Sequence, residues 1–442
     1  MSAPAREGRR GVDVLRALAE RAGRPLGVHL QVADRCNHAC RHCYQVQGLK
    51  GELDLDGVRA VIDDLADAGV LTLNVSGGEA TLRPDLVDIL RHARARGFAV
   101  RLYTNAFLVD DAMADALAAV GLHEVHVSVY SGVAAEHDAV TRVPGSFART
   151  TAGVRALRAR GVRVVLKCPA TSLAPEGARG VAALAEETGC AFAPSTELTP
   201  REDGALDPLA VRGGEAQLAR AGLLKPWSPG GEDAAALRAK KLTGASCGVG
   251  SSGLVVLPDG AVLPCTDTPV VVGRLTETPM REVLATSDAL AMMRELTWGD
   301  VHGCRDCALL GGCHRCHATA LHEAGDYLGP YPSACARARA RYALGGGDAE
   351  PAAPDPSCAP GRDPRVGPYR VGDDGRLVPM PDRRSAEDDE RARRFPWIRK
   401  APREALVTLR VGRSGAASGA SKPAAETGAV LDNDASSLLL VE

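Results

Sequence analysis

The chain has 442 residues, 13 cysteines and a formal net charge of -2. This length predicts two or three domains with a sizeable core. The nearly balanced charge does not indicate a nucleic-acid-binding surface, and no apolar run reaches the roughly 18 residues that span a bilayer. Met1–Arg24 lacks the layout of a signal peptide. We therefore expect a cytoplasmic protein whose cysteines are reduced thiols used for metal binding or redox chemistry.

Short β-rich runs alternate with helical runs from Gly27 to Leu198. Strands are predicted at Gly27–Ala33, Leu71–Ser76, Ala99–Thr104, Glu124–Tyr130, Arg163–Cys168 and Ala191–Thr196. Helices are predicted at Leu55–Ala68, Asp85–Arg96, Asp111–Val120, Ser146–Arg160 and Pro175–Thr188. This alternation implies an α/β fold with a parallel sheet, either doubly wound or wrapped into an open barrel. In both architectures the active site lies at the carboxyl ends of the strands.

The remaining sequence divides by composition. Residues 1–26 form an N-terminal extension, 27–200 the α/β unit, 201–245 a connector and 246–342 a small, cysteine-rich α+β domain. A hairpin is predicted at Leu254–Leu263, with Asp259-Gly260 as its turn. Residues 343–442 are rich in proline and glycine and are predicted to be largely disordered, with local contacts at Phe395–Ile398 and Leu406–Val411.

A cysteine triplet follows the first predicted strand directly. Cys36, Cys40 and Cys43 form a C-x3-C-x2-C motif, and Tyr44 comes next. Three thiolates on one loop can hold three irons of a [4Fe-4S] cluster and leave the fourth without a protein ligand. The alternatives are a zinc site completed by a histidine of the same loop, His38 or His42, or three unrelated buried thiols.

The triplet resembles the hallmark motif of the radical S-adenosylmethionine (radical SAM) superfamily. Ser76 precedes Gly77-Gly78-Glu79, which lies after the second strand where this family has its Gly-Gly-Glu motif. The resemblance implies a partial (β/α)6 barrel whose reduced cluster, bound by Cys36, Cys40 and Cys43, cleaves SAM to a 5′-deoxyadenosyl radical. Paired glycines would let the backbone approach a ligand, and a carboxylate beside them could hold an ammonium group.

Further positions resemble SAM-binding positions of the family. They are Thr104-Asn105 after strand three, Ser128 on strand four, and Arg142 just after His137-Asp138. The resemblance implies that Ser128 and Arg142 contact the ribose or carboxylate of SAM. Cys168 ends strand five and is a candidate hydrogen-atom donor or acid at the radical site.

Seven cysteines in the second half resemble the SPASM extension of radical SAM enzymes. They read Cys247-x12-Gly260-x4-Cys265, Cys304-x2-Cys307-x5-Cys313-x2-Cys316 and a final Cys335. The last spacing of the middle group is one residue shorter than in the family, and His317 follows it. The resemblance implies one auxiliary [4Fe-4S] cluster bound by Cys304, Cys307, Cys313 and Cys335, and another bound by Cys247, Cys265 and Cys316.

The second of these auxiliary sets lacks a fourth cysteine. The nearest upstream cysteine is Cys190, so we predict an iron that binds water, another side chain or substrate. Two C-x2-C pairs are also typical of zinc sites, which is the alternative. Cys168, Cys190 and Cys358 lie outside both patterns and are interpreted as free thiols.

The combination predicts a radical SAM enzyme that oxidatively modifies a peptide or protein side chain by crosslinking, decarboxylation or oxidation. Two auxiliary clusters would relay electrons, and reduced ferredoxin or flavodoxin would be the donor. Only about 26 residues precede the first strand, so leader-peptide recognition would need a separate binding protein, the connector or the tail. The alternatives are a radical SAM enzyme acting on a small metabolite and a non-catalytic iron–sulfur or zinc-binding interaction protein.

Overall fold

A computed structural model describes the chain over residues 14–15, 17–19, 22–48, 50–228, 234–251, 253–268, 270–351, 367, 369–373, 376–380, 385–399 and 439–440. Its first six strands are β1 Gly27–Gln31, β2 Thr72–Ser76, β3 Ala99–Thr104, β4 Glu124–Ser128, β5 Val164–Pro169 and β6 Ala191–Ser195. The helices between them are Leu55–Asp67, Leu86–Ala95, Asp111–Val120, Ala134–Thr141, Ser146–Ala159 and Gly177–Thr188. All six predicted strands and all five predicted helices are confirmed, with ends shifted by at most two residues.

The six strands lie side by side in chain order and are all parallel. A doubly wound sheet would reverse its strand order at one point, whereas this order runs in one direction. The right-handed crossovers therefore keep every helix on one face, which gives the partial barrel. The carboxyl ends of all six strands meet at the same edge, where the functional loops lie.

Side chains on these strands alternate between two environments. On β4, Val125 and Val127 are fully buried against the helices, whereas Glu124, His126 and Ser128 are only partly buried and point into the barrel. The buried members of all six strands share one hydrophobic core with the helices. The interior face is polar and is held by hydrogen bonds between side chains.

One helix of the barrel was not predicted. Residues Ala134–Thr141 form a helix that ends at Arg142, which adopts a left-handed conformation with φ of 60°. Its hydrophobic periodicity is weak because polar and small residues cover most of its surface. His137 accepts a hydrogen bond from the backbone N–H of Tyr130, and Asp138 caps the next helix through the N–H of Phe147. The His-Asp pair thus holds the backbone of this region in place.

The small C-terminal domain is joined to the barrel through the sheet. Strand β7 Leu254–Val256 pairs parallel to β1 and antiparallel to β8 Ala261–Leu263, which confirms the predicted hairpin. Gly260 has a φ of +85°, as the turn requires. Strand β8 also pairs with β10 Gly273–Arg274, so the sheet has nine strands.

The other elements complete this half of the molecule. Strand β9 is Val270–Val271, and it pairs with β14 Leu439–Leu440. The helices are Glu215–Arg220, Ala234–Thr243, Met280–Thr286, Asp288–Glu295, His317–Ala324, Pro332–Leu344 and Ala386–Arg394. Strands β11 Asp348–Pro351, β12 Tyr369–Val371 and β13 Arg376–Pro379 form a small separate sheet. Within the described residues, no helix is both long and apolar enough to cross a membrane.

The segment predicted to be a largely disordered tail contributes ordered pieces to this domain. Tyr369 and Leu377 are buried in a cluster with cysteines, and Phe395 and Trp397 are buried in a second cluster. The expected local contacts at Phe395–Ile398 are confirmed. The expected contacts at Leu406–Val411, and Cys358, lie outside the described residues. The domain boundaries drawn from composition stay predictions.

Candidate functional site

The loop that carries the cysteine triplet leaves β1 at the carboxyl edge of the barrel. Backbone hydrogen bonds tie it to the end of the helix Ala134–Thr141: the N–H of Ala39 donates to Thr141 O at 3.1 Å, and that of Arg41 donates to Val140 O at 3.0 Å. The N–H of Cys43 turns back to Cys40 O at 3.1 Å. The loop therefore has a fixed backbone shape that keeps its three thiols on one side of the barrel mouth.

The two glycines after β2 form the floor beneath this loop. The N–H of Gly78 donates to Ala33 O at 2.7 Å, and the N–H of Glu79 donates to Arg35 O at 2.8 Å. A Cβ atom at Gly78 would lie 2.2 Å from Arg35 O, and one at Gly77 would lie 2.5 Å from Ala33 O. Glycine is required here because backbone meets backbone immediately before Cys36.

The Glu79 carboxylate points inward and is 2% exposed. It accepts hydrogen bonds from the hydroxyls of Thr81 and Thr104, each at 2.6 Å, and from the backbone N–H of Asn105 at 2.7 Å. The sequence predicted that this carboxylate could hold an ammonium group, and that role stays a prediction. In the structure it joins the ends of β2 and β3, which makes it a positioning residue for the loops around the mouth.

Asn105 extends this network into the cysteine loop. Its side-chain amide donates to Asn37 Oδ1 at 2.7 Å, and Asn37 lies between Cys36 and Cys40. Asn37 Nδ2 and both ring nitrogens of His38 are buried and have no hydrogen-bond partner among the described residues. Buried polar atoms of this kind are rare in native proteins, and they mark a place where a polar ligand binds. Sequence reasoning missed Asn37 and did not foresee these unpartnered nitrogens.

Ser128 and Arg142 flank the same loop from the other side. Tyr130 follows Ser128 by two residues, and its hydroxyl lies 3.9 Å from Cys40 Sγ. Arg142 directly follows Thr141, whose carbonyl oxygen accepts a hydrogen bond from the N–H of Ala39. The side chain of Arg142 is exposed. That Ser128 and Arg142 contact SAM stays a prediction.

Cys168 does not face the barrel interior. It is 1% exposed, belongs to the core between sheet and helices, and donates toward Tyr130 O at 3.8 Å. Burial raises the pKa of its thiol to about 12. Because side chains alternate along a strand, it is the neighbouring Lys167 that points inward. The candidacy of Cys168 as a hydrogen-atom donor is therefore wrong for this structure.

The three loop thiols are suited to a cluster rather than to acid–base chemistry. Burial raises the pKa of Cys36 to about 11 and that of Cys40 to about 12, and it raises the pKa of Cys43 as well. Their mutual charges add to the shift. A bound cation removes this penalty because it stabilises the thiolates. The donor set, the fixed loop and the unpartnered polar atoms all fit a cluster with one iron open to a ligand.

Four of the downstream cysteines line one small cavity. Its walls are formed by Cys304, Cys307, Leu309, Leu310, Cys313, Cys335, Ala338, Gly367 and Tyr369. The four cysteines are the set that the SPASM resemblance assigned to one auxiliary cluster. The chain thus brings together thiols from a loop and from the helix Pro332–Leu344, which fits a cluster with four protein ligands.

Main-chain N–H groups from the predicted tail complete this cavity. The N–H of Gly367 donates to Cys335 Sγ at 3.1 Å, and the N–H of Tyr369 donates to Cys307 Sγ at 3.3 Å. Positive side chains lower the pKa of these thiols against the effect of burial; they are Arg238, Lys241, Arg315, Arg337, Arg339 and Arg341. Cations and N–H donors stabilise thiolate charge. No sequence motif marks Gly367 or Tyr369 for this role.

The other three cysteines form a second group. Cys247 is exposed, whereas Cys265 and Cys316 are partly buried, and their charges act on one another and on the buried Tyr327. Asp267 lies among them: Cys316 Sγ donates toward its Oδ2 at 3.9 Å. Burial raises the pKa of Asp267 to about 6.

No three histidine, cysteine, aspartate or glutamate side chains of the described chain converge on one point as ligands of a single metal ion would. A cubic cluster does not require such a point, because each thiolate binds a different iron. Cys190 packs at the start of β6 and accepts from Thr188 Oγ1 at 3.2 Å, away from both downstream groups. Its interpretation as a free thiol agrees with this position.

The chain is similar to proteins of known family over most of its length. Residues 30–171 match the radical SAM superfamily, and residues 247–308 match SPASM, an iron–sulfur cluster-binding domain. The PqqA peptide cyclase of Ruegeria pomeroyi is 32% identical over 360 residues, covering 73% of this chain and 92% of that protein. The AdoMet-dependent heme synthase of Methanosarcina barkeri is 27% identical over 324 residues, covering 67% and 92%.

Among solved structures, Streptococcus suis SuiB bound to its precursor peptide SuiA has a TM-score of 0.53 at 16% identity. The match covers 68% of this chain and 73% of that chain. Identity at this level shows a shared fold.

Proposed function

Because the chain belongs to the radical SAM superfamily and carries a SPASM iron–sulfur domain, we propose that it oxidatively modifies a side chain of a peptide or protein. The observation that carries this proposal is the similarity to PqqA peptide cyclase, which covers 73% of this chain and 92% of that protein. The fold shared with SuiB, solved with a precursor peptide, supports the same substrate class.

Cys36, Cys40 and Cys43 are the proposed ligands of the catalytic [4Fe-4S] cluster. When bound, the reduced cluster and SAM supply a radical that removes one hydrogen atom from the substrate. The backbone of the Gly77-Gly78 pair supports the loop from below, and Glu79 fixes Thr104 and Asn105 beside it. Ser128 and Arg142 are the proposed contacts to the ribose or carboxylate of SAM.

The downstream cysteines are proposed to hold two auxiliary clusters. One is bound by Cys304, Cys307, Cys313 and Cys335, and the other involves Cys247, Cys265 and Cys316. After a hydrogen atom is removed, forming a new bond or a double bond releases one more electron and one proton. The substrate loses two electrons in all, and the auxiliary clusters supply a route for the second. Reduced ferredoxin or flavodoxin is the proposed source of the electron that SAM cleavage consumes.

Deuterium transfer to 5′-deoxyadenosine tests the substrate class even while the substrate itself is unidentified. A perdeuterated extract of the host would be separated into a fraction below about 1 kDa and a macromolecular fraction, and each would be incubated anaerobically with enzyme, dithionite and SAM. We expect deuterium in 5′-deoxyadenosine from the macromolecular fraction, and we expect exhaustive protease treatment of that fraction to abolish it. Transfer that survives protease treatment would contradict a peptide or protein substrate.

A small-metabolite substrate is the second candidate. The similarity to the AdoMet-dependent heme synthase, which covers 92% of that protein, favours it. The same experiment separates the two candidates, because a small metabolite would transfer deuterium from the low-mass fraction and would be indifferent to protease.

A further inference from the structure

The Cys247, Cys265 and Cys316 group offers three thiols to a cluster that has four irons. No fourth cysteine of the described chain joins it. Cys190 packs against the barrel core, and the neighbouring cavity is lined by Cys304, Cys307, Cys313 and Cys335. A fourth ligand would therefore be a non-cysteine side chain near these thiols, or Cys358, which lies outside the described residues.

One carboxylate lies next to two of these thiols. Asp267 follows Cys265 by two residues, in a turn where Cys265 Sγ donates to Thr268 Oγ1 at 3.2 Å. Asp267 Oδ2 also lies 3.9 Å from Cys316 Sγ, and Cys316 comes from a distant part of the chain, at the start of the helix His317–Ala324. The carboxylate thus belongs to the turn that follows Cys265 and lies close to a thiol from a separate element.

The chemistry of this carboxylate suits an iron ligand. Carboxylate oxygen binds iron in proteins, and non-cysteine ligands occur in iron–sulfur clusters, where histidine replaces cysteine in Rieske centres. Asp267 is partly buried, and a partly buried carboxylate gains from a positive partner.

We propose that the Asp267 carboxylate is the fourth protein ligand of the auxiliary cluster bound by Cys247, Cys265 and Cys316. This assignment rests on the proposed function, since it assumes that the three cysteines hold a cluster. It gives that cluster three sulfur ligands and one oxygen ligand, in contrast to the all-cysteine cluster in the neighbouring cavity. The oxygen-ligated iron is then the one that an external ligand reaches when the carboxylate is removed.

The test uses the full-length chain with Cys36, Cys40 and Cys43 changed to Ala and then reconstituted anaerobically, so that only auxiliary clusters contribute. Into this background go Asp267→Ala, Asp267→Cys and the control Asp259→Asn, whose carboxylate lies in the hairpin and pairs with Arg274 at 2.8 Å. Iron and sulfide content, the electron paramagnetic resonance (EPR) spectrum after dithionite reduction, and its response to added cyanide are measured.

We expect Asp267→Ala to change one of the two EPR signals and to make that signal sensitive to cyanide. Asp267→Cys should restore cyanide resistance with a more negative reduction potential, and Asp259→Asn should match the background protein. If Asp267→Ala leaves the spectra and the cyanide response unchanged, the assignment is wrong; the same holds if Cys358→Ala produces the change instead. If the background protein binds no iron at all, the proposed auxiliary clusters are wrong, and the assignment of Asp267 as a ligand is wrong with them.

A role for Asp267 as a proton acceptor for substrate gives a different pattern. Asp267→Ala would then impair turnover in the protein with an intact catalytic triplet while leaving iron content, EPR signals and cyanide response as they were. That result overturns ligation by Asp267.

Discussion

The carboxylate of Glu79 accepts a hydrogen bond of 2.7 Å from the backbone N–H of Asn105. This contact joins the Gly-Gly-Glu segment after β2 to the Thr-Asn pair after β3. The Asn105 side chain then donates to Asn37 within the cysteine loop at 2.7 Å. Three motifs that are separate in the sequence therefore form one hydrogen-bonded frame around the barrel mouth.

The hydrogen-bonded frame predicts that Glu79→Gln lowers the stability of the folded protein. The substitution replaces one carboxylate oxygen of Glu79 with an NH2 group, which cannot accept a hydrogen bond. At least one of the buried donors around this side chain therefore loses its acceptor. We expect the free energy of unfolding to fall by about 2 kcal/mol, as for other buried bonds to a charged group. Chemical denaturation of the chain without clusters measures this loss.

The matched control for that variant is Glu187→Gln, whose carboxylate is exposed and pairs with Arg155 at 3.0 Å. A surface pair of this kind contributes less than about 1 kcal/mol. Equal losses for the two variants would show that Glu79 does not hold the frame together.

The backbone contact beneath the loop predicts that Gly78→Ala disrupts the catalytic cluster. The added Cβ would lie 2.2 Å from Arg35 O, and neither backbone segment can yield without moving Cys36. We expect loss of about one cluster's iron per chain and loss of SAM cleavage, while the auxiliary EPR signals persist.

Gly214→Ala is the control for that substitution because the space around Gly214 is open. It should retain full iron content. A Gly78→Ala protein with the iron content and SAM cleavage of the parent would contradict the close approach seen here.

The N–H of Tyr369 predicts a specific effect on the four-cysteine cluster. Tyr369→Pro removes the donor to Cys307 Sγ, whereas Tyr369→Phe keeps it and preserves the ring. Hydrogen bonds to sulfur stabilise the more negative, reduced cluster. We expect a lower reduction potential for Tyr369→Pro than for Tyr369→Phe in an EPR-monitored redox titration. Identical potentials would show that this bond does not act on the cluster.

A partly buried histidine on β1, His29, predicts that the folded protein is sensitive to acid. Burial lowers the pKa of His29 to about 4, and its Nε2 lies 2.5 Å from Ser76 Oγ. Between pH 6.5 and 4 the unfolded chain binds a proton at His29 that the folded chain does not. Stability contributed by neutral His29 is therefore present above about pH 6.5 and lost as the pH falls toward 4.

We expect the parent protein to lose more stability than His29→Gln between about pH 7 and pH 4.5, by at most about 3 kcal/mol. Denaturation curves of both proteins at the two pH values measure the difference. Equal losses would mean that His29 titrates normally in the folded protein.

The sequence sufficed for features that follow from local periodicity and motif spacing. The six strands, the hairpin at Gly260 and the grouping of Cys304, Cys307, Cys313 and Cys335 were all predicted. Strand periodicity is encoded within short stretches and can be read without tertiary contacts, whereas the grouping of the four cysteines was implied by the resemblance to SPASM.

Features that depend on distant contacts were not predicted. The partners of Glu79 come from two other loops. Tyr369 contacts Cys307 across 62 residues, and its segment has no pattern that distinguishes it from a disordered tail.

Reductive cleavage of SAM by the reconstituted protein tests the catalytic role of the cysteine triplet. The chain is loaded with iron and sulfide anaerobically, reduced with dithionite and incubated with SAM, and 5′-deoxyadenosine is quantified by liquid chromatography and mass spectrometry. We expect 5′-deoxyadenosine from the parent protein and none from Cys36→Ala, Cys40→Ala or Cys43→Ala variants that keep their auxiliary iron. Absence of cleavage by the fully loaded parent, or undiminished cleavage by these variants, would contradict a radical SAM activity carried by these three cysteines.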